Sequence, residues 1–235
     1  MIHDKLSGTN APPSFIILYM KHVQIQYGNE YFMHVCNKSI SNYQIYSKTS
    51  NAYRFLQAVD YYRSPQSGVS LTKAIDRPDY KMCNLLLPRG ENIKIYAYCI
   101  MPDHYHLLIS SKSKEQISKY INNIENSFTR YLNVKSNRKG PLWQSPYRHS
   151  LIVDTKVFLH VSRYIHLNPT TSYLTEKPDE WRFSSYRDLI SDSTYLRSMP
   201  QYTIQTTSAY KKFVESNIDR QRELRKIKKA LLDHE

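Results

Sequence analysis

The stretch MPDHYHLLI (101–109) sets two histidines one residue apart inside an apolar run, directly after a Met-Pro-Asp turn. Side chains two positions apart on a β-strand share a face, about 7 Å apart at the backbone. His104 and His106 can therefore converge on one divalent cation through neutral imidazole nitrogens. The plain alternative is a pair of surface or hydrogen-bonded histidines, because a bare His-X-His is a short motif. The surrounding AYCIMPDHYHLLI favours a site, since it places the pair in the apolar centre of a hairpin, where unpaired polar rings are costly. Tyr105 points to the opposite face. A second segment, SRYIHLNP (162–169), carries Tyr164 and Asn168 at helical i, i+4 spacing. Asn168 offers a carbonyl oxygen, which suits Mg²⁺ or Mn²⁺. Tyr164 offers a phenol, although it also fits an ordinary core stripe with Val157 and Val161. His166 is rotated away from that face and is left out of the site.

The elements that must position these groups are legible as periodicities. YFMHVCN (31–37) reads as a first strand, with Phe32, His34 and Cys36 alternating against Tyr31, Met33 and Val35. Residues 50–63 read as a helix capped by Ser50 or Asn51. NIKIYAYCIM (92–101) and HYHLLIS (104–110) read as a hairpin around Pro102-Asp103. Ser111 or Ser113 caps a helix through Ile117, Tyr120, Ile121, Ile124, Phe128, Tyr131 and Leu132. A basic turn ending in Gly140 leads to a short strand. Asp154 or Thr155 then caps the helix that carries Tyr164, with Asn168-Pro169 as its end. PDEWRFSSY (178–186) reads as a loop tucked back on the domain, and from Ala209 onward the chain reads as a basic helix containing RQRELRKIKK (220–229). The class is α+β: an antiparallel sheet with helices packed on one face, plus a basic helical C-terminal tail.

The chain has 235 residues, enough for one ordinary domain with extensions. The division is a poorly ordered leader over 1–19, a main domain over 20–190 with a long loop or insertion at 64–91, and a basic extension over 191–235. Met20 could serve as a start, because the patterned chain begins just after it. A net charge of +13, from 33 basic and 20 acidic side chains, favours a polyanionic partner, foremost nucleic acid; the alternative is a merely basic soluble protein. The 21 tyrosines suit base stacking and β-rich cores equally. Cys36, Cys83 and Cys99 are odd in number and widely spaced, which argues against a disulfide framework or a cysteine zinc site and suits a reducing cytoplasm. The apolar run Phe15–Met20 is too short for a membrane span or a signal-peptide core.

MPDHYHLLI, NSFTRYLN (126–133), GPLWQSPYR (140–148), SRYIHLNP and WRFSSY (181–186) occur in an order that resembles the REP-associated tyrosine transposases. These are grouped with the single-tyrosine transposases of bacterial insertion sequences, in the HUH endonuclease superfamily, and the likeness runs over roughly residues 22–190. The resemblance implies a ferredoxin-like, RRM-like fold, His104 and His106 as metal ligands with Asn168 as the third, and Tyr164 as nucleophile. It also implies cleavage and rejoining of single-stranded, hairpin-associated DNA through a 5′-phosphotyrosine, with Mg²⁺ or Mn²⁺ as cofactor. Lys135, Arg138, Lys139, Arg148 and Arg163 are the expected phosphate contacts. Trp143, Tyr147 and Phe183 are stacking or core residues, with a core role for Trp143, and Tyr131 is the rival nucleophile. Asp103 departs from the asparagine common before the first histidine. The leader, the 64–91 segment and the tail are not set by the shared motifs. A catalytically silent hairpin-binding protein and a hydrolase that activates water are the competing readings; monomer and homodimer both fit.

Overall fold

The computed structural model describes residues 29–63, 69–87, 92–144, 146–200 and 204–232. The expected leader at 1–19, and Met20 with it, lie outside them. A first strand β1 (Tyr31–Lys38) leads to helix α1 (Thr49–Tyr62), and a short helix α2 (Leu71–Ile75) lies within the 64–91 segment. The hairpin β2 (Lys94–Ile100) and β3 (His104–Ser111) follows, then α3 (Lys114–Lys135), β4 (Arg148–Ile152) and α4 (Thr155–Thr171). All strand pairs are antiparallel, in the order β2-β3-β1-β4. That order, with α1 and α3 as the two crossovers, is the ferredoxin-like arrangement.

Strand alternation divides the sheet into two different faces. On the first, Val35, Tyr105, Leu107 and Ile109 are at most 0% exposed. They meet α1 through Ala52, Phe55, Leu56 and Val59 and α3 through Ile117, Ile121, Ile124 and Phe128, all buried at helical spacing. Aromatic rings lock this layer. Phe55 lies 4.9 Å from Tyr105 and 5.4 Å from Phe128, and Trp143 packs edge-on to Tyr105 at 5.7 Å. Trp143 is thus a packing residue, with its indole N–H donating to Thr129 Oγ1 at 3.1 Å. Ser113 caps α3 by accepting from the Gln116 N–H. The expectation of helices on one face holds for α1 and α3. Helix α4 covers the other face, where Phe158 stacks edge-on against Phe32 and Tyr96. The reason is compositional: Phe32, Tyr96 and Leu108 leave that face too apolar to stay wet.

The segment 178–186 does fold back, and it closes the exposed edge of β2. Ile100 N–H donates to Phe183 O at 2.8 Å, Ser185 N–H to Tyr98 O at 3.1 Å, and the Trp181 indole to Ile100 O at 2.9 Å. Short helices α5 (Tyr186–Ser191) and α6 (Ser193–Arg197) follow. The tail forms two helices rather than one, α7 (Thr207–Glu215) and α8 (Ile218–Leu232). Helix α7 buries Tyr210 and Val214, and the chain then turns at Ser216–Asn217, so that α8 runs back along α4. Phe128→Ala removes the ring at the centre of the first layer, contacting Tyr46, Phe55 and Trp143. The expected cost is about 3–5 kcal/mol, read as a lower denaturant midpoint at unchanged slope in guanidinium unfolding.

Candidate active site

The histidine pair lies on the α4 face, as strand parity requires. The His104 and His106 ring centroids are 5.0 Å apart, while Tyr105 turns inward and donates to Glu125 Oε1 at 2.8 Å. Antiparallel pairing sets Cys36 opposite His106 and His34 opposite Leu108. His34 and Cys36 therefore share the face with the histidine pair, and His34 Nε2 lies 3.0 Å from His106 Nδ1. Sequence reasoning recognised the alternation of β1 but left His34 and Cys36 out of the site. Their i, i+2 spacing was a usable signal; the strand they would pair with was not.

Helix α4 begins at Asp154, whose carboxylate accepts from the Lys156 N–H at 2.6 Å and the Val157 N–H at 3.2 Å. It presents Tyr164 across the sheet, with ring centroids 5.5 Å from His106 and 6.0 Å from His34, both edge-on. Unlike its neighbours Ile165 and Leu167, which are fully buried, Tyr164 is 43% exposed, so it is not the core tyrosine of the apolar alternative. Asn168 follows one turn later and donates its side-chain amide to Tyr164 O at 2.9 Å. The helix does not stop at Asn168-Pro169 but continues to Thr171. Pro169 falls in the last turn, where the closing bonds run from Ser172 N–H to Asn168 O and from Leu174 N–H to Pro169 O, so the missing proline N–H does not end the ladder there. His166 sits away from the site, bonded to Tyr210 and Ser185 at 2.9 Å each. Tyr131 lies on the α1 side, within reach of Asn51 and under the Lys135 ammonium.

The local electrostatics favour neutral imidazoles at His34 and His106. Burial, with His104 and His34 nearby, holds His106 well below the usual histidine range, and burial lowers His34 to about 4. Asp103 lies 2.5 Å from His104 Nδ1 and 3.2 Å from Lys38 Nζ. Desolvation pushes its pKa up, but the hydrogen bond to His104 and the pairing with Lys38 outweigh this and leave it lowered. A carboxylate on Nδ1 orients the His104 ring and leaves Nε2 as the nitrogen open to a further partner. The Tyr164 phenol is raised, by desolvation first and then by Cys36, with the Asn168 side chain and Arg225 opposing.

His104, His106, Tyr164 and Asn168 line one cavity of about 850 Å³. Of the five cations chosen from sequence, Arg148 and Arg163 line it; Lys135, Arg138 and Lys139 do not. Lys135 instead bonds Ser50 and Asn51, and Arg138 bonds Asn133 and Pro141 O. Helix α8 adds Arg220 and Arg225 to the lining, which the basic composition of the tail announced without placing. A group able to hold a metal ion is present: ligand atoms of His34, Cys36 and His106 all lie within 4.8 Å of one another. His106 Nε2 is buried and has no hydrogen-bond partner among the described residues, a costly arrangement that a bound cation would relieve. The three cysteines are free, and no helix among the described residues is long and apolar enough to cross a membrane.

Residues 71–168, a stretch shorter than half of the chain, match the family described as transposase, IS200-like. A Haemophilus influenzae relative assigned to the REP-associated tyrosine transposases is 28% identical over 109 residues, 42% of this chain and 62% of that protein. The Escherichia coli K12 REP-associated tyrosine transposase is 23% identical over 108 residues, 46% of this chain and again 62% of the relative. The matched part thus spans less than two thirds of these relatives. A solved REP-associated tyrosine transposase bound to a REP hairpin shares 16% identity at a TM-score of 0.48, covering 82% of this chain and 94% of that one.

The buried histidines make a pH prediction. His166 is held at about 3 and His34 at about 4 by burial, against 6.5 when exposed. The unfolded chain therefore takes up these protons first as pH falls. The stability they carry is complete above pH 6.5 and is lost on acidification toward the folded values, at up to about 1.4 kcal/mol per pH unit for each group. Urea unfolding between pH 7 and 4.5 should show this decline, with a shallower slope in His166→Gln.

Proposed function

We propose that this chain is a metal-dependent transposase or endonuclease for single-stranded, hairpin-associated DNA, cleaving and rejoining strands through a 5′-phosphotyrosine on Tyr164. The observation that carries the reading is the approach of the half-exposed Tyr164 ring to within 5.5 Å of the His106 ring, across a cavity lined by arginines, in one chain. His104, His106 and Asn168 would hold a Mg²⁺ or Mn²⁺ ion; the orphaned His106 Nε2, the Asp103-oriented His104 ring and the Asn168 amide suit that role. When bound, such an ion neutralises charge on a non-bridging phosphate oxygen. Acting on DNA inside the cell, the chain is cytoplasmic.

The Tyr164 oxygen attacks phosphorus, the bond to the 3′ oxygen breaks, and a tyrosyl ester with a free 3′-hydroxyl results. The ester retains the energy of the broken bond, so the hydroxyl of a strand end reverses the step without ATP. The phenol must lose its proton first, and its surroundings hold that proton on; Arg225 favours the charged form. Arg148 and Arg163, joined by Arg220 and Arg225, bind the backbone around the scissile phosphate. Lys135, Arg138 and Lys139, which do not line the cavity, serve flanking DNA. The fixed cavity between sheet and helix favours an unstacked strand over a duplex.

Tyr164→Phe is expected to abolish the SDS-resistant adduct formed with labelled hairpin DNA and Mn²⁺. His104→Ala and His106→Ala are expected to stop cleavage while binding survives. Cleavage without an adduct, persisting in Tyr164→Phe, would establish water-activating hydrolysis instead, and binding with no cleavage would establish a silent hairpin-binding protein. Affinity for single-stranded DNA should fall steeply with salt, and Arg148→Ala should reduce the slope of log K against log salt by about 0.7.

A further inference from the structure

We propose that His34, Cys36 and His106 form a second cation site, selective for Zn²⁺ and similar thiophilic ions, whose occupation withdraws His106 from the Mg²⁺ or Mn²⁺ site. The binding half rests on this chain's geometry alone; the inhibitory half rests on the function proposed above.

The two sites differ in donor chemistry. His104, His106 and Asn168 offer two nitrogens and an amide oxygen. The group on β1 and β3 replaces the oxygen with the sulfur of Cys36, a donor that oxygen-seeking Mg²⁺ avoids and Zn²⁺ prefers. The spacing is also suitable. Two nitrogens at zinc–nitrogen distances of about 2.0–2.1 Å in a tetrahedron stand about 3.3 Å apart, and sulfur to nitrogen about 3.6 Å. His34 Nε2 and His106 Nδ1 already face each other at 3.0 Å, and one ligand atom from each of His34, Cys36 and His106 lies within 4.8 Å of the other two. All three side chains come from paired strands rather than loops, with Cys36 directly opposite His106, so little backbone ordering remains to be done on binding. Cys36 and His106 both line the cavity, which gives an ion an entry path and room for a water as fourth ligand.

The exclusion follows from the imidazole itself. A neutral ring has one N–H and one lone pair. An ion on His106 Nδ1 replaces the His34–His106 hydrogen bond and leaves the ring proton on Nε2. That nitrogen then becomes a donor and can no longer ligate the catalytic ion. As the zinc–sulfur bond forms, the Cys36 thiol releases its proton to solvent. Zinc at this site therefore disarms the cleavage site without touching Tyr164.

The full chain, stripped of metal, is titrated with Co²⁺ as a spectroscopic substitute for Zn²⁺. The expected result is a thiolate-to-cobalt charge-transfer band saturating at one equivalent and bleached by Zn²⁺. The band is lost in Cys36→Ser and His34→Ala and kept in His104→Ala and Asn168→Ala. No band in the wild-type chain, or a band that survives Cys36→Ser, overturns the site. In the Mn²⁺-supported cleavage assay, Zn²⁺ should inhibit the wild type at a concentration at least 10-fold lower than Cys36→Ser requires; equal sensitivity overturns the exclusion. The cobalt titration needs no DNA, so absence of any cleavage would count against the proposed function and leave the metal site standing.

Discussion

The antiparallel register of β1 against β3 is the constraint on which the rest of the structure depends. It sets Cys36 opposite His106 and, through the same pleat, Val35 opposite Leu107. Val35 and Leu107 are fully buried against the α1–α3 layer. A slip of one residue would turn these side chains outward and send the polar ones into the core. The hydrophobic packing of one face therefore fixes the placement of polar groups on the other. The chemistry of the site inherits its precision from aromatic residues that never touch it.

Helix α4 is held as firmly as the sheet, and for the same reason. Phe158 anchors its first half against Phe32 and Tyr96, and His166 ties its second half to α5 and α7 through Ser185 and Tyr210. Between these anchors Tyr164 and Asn168 face the cavity. Helix α8 then lies along α4, with Arg222 donating to Thr170 O at 3.1 Å and Arg225 bonded to Ser172. The result is a phenol on a rigid helix, opposite imidazoles on a rigid sheet, in a strongly cationic surround. An anionic ligand entering such a site would require little reorganisation of the protein.

Particular residues show where sequence reasoning reached and where it stopped. Strand parity sets His104 and His106 on one face and helical spacing sets Tyr164 and Asn168 on another, because each pair lies within one element whose repeat the backbone dictates, while the roles given to them rest on the family resemblance. His34 carried the same parity signal and was passed over, since nothing local says that β1 lies beside β3 rather than β2. Asp103 reads from sequence only as a turn residue that departs from the common asparagine; the structure joins it to His104 and Lys38. Asn168-Pro169 reads as a stop, but a proline in the final turn forfeits a single N–H bond, and the turn still closes through Ser172 N–H to Asn168 O and Leu174 N–H to Pro169 O. Arg220 and Arg225 were legible only as part of a basic helix. Their approach to the cavity follows from the turn at Ser216–Asn217 and the burial of Tyr210.

Sequence by itself determined the elements, the hairpin, the α+β class and the two local pairs of candidate residues. These follow from periods of 2 and 3.6 and from capping and turn chemistry, all of which act over a few residues. Tertiary structure alone decided the strand order, the helix on the second face, the meeting of His34 and Cys36 with His106, and the arrival of α8. Those depend on which distant surfaces bury one another, and no repeat along the chain encodes that choice.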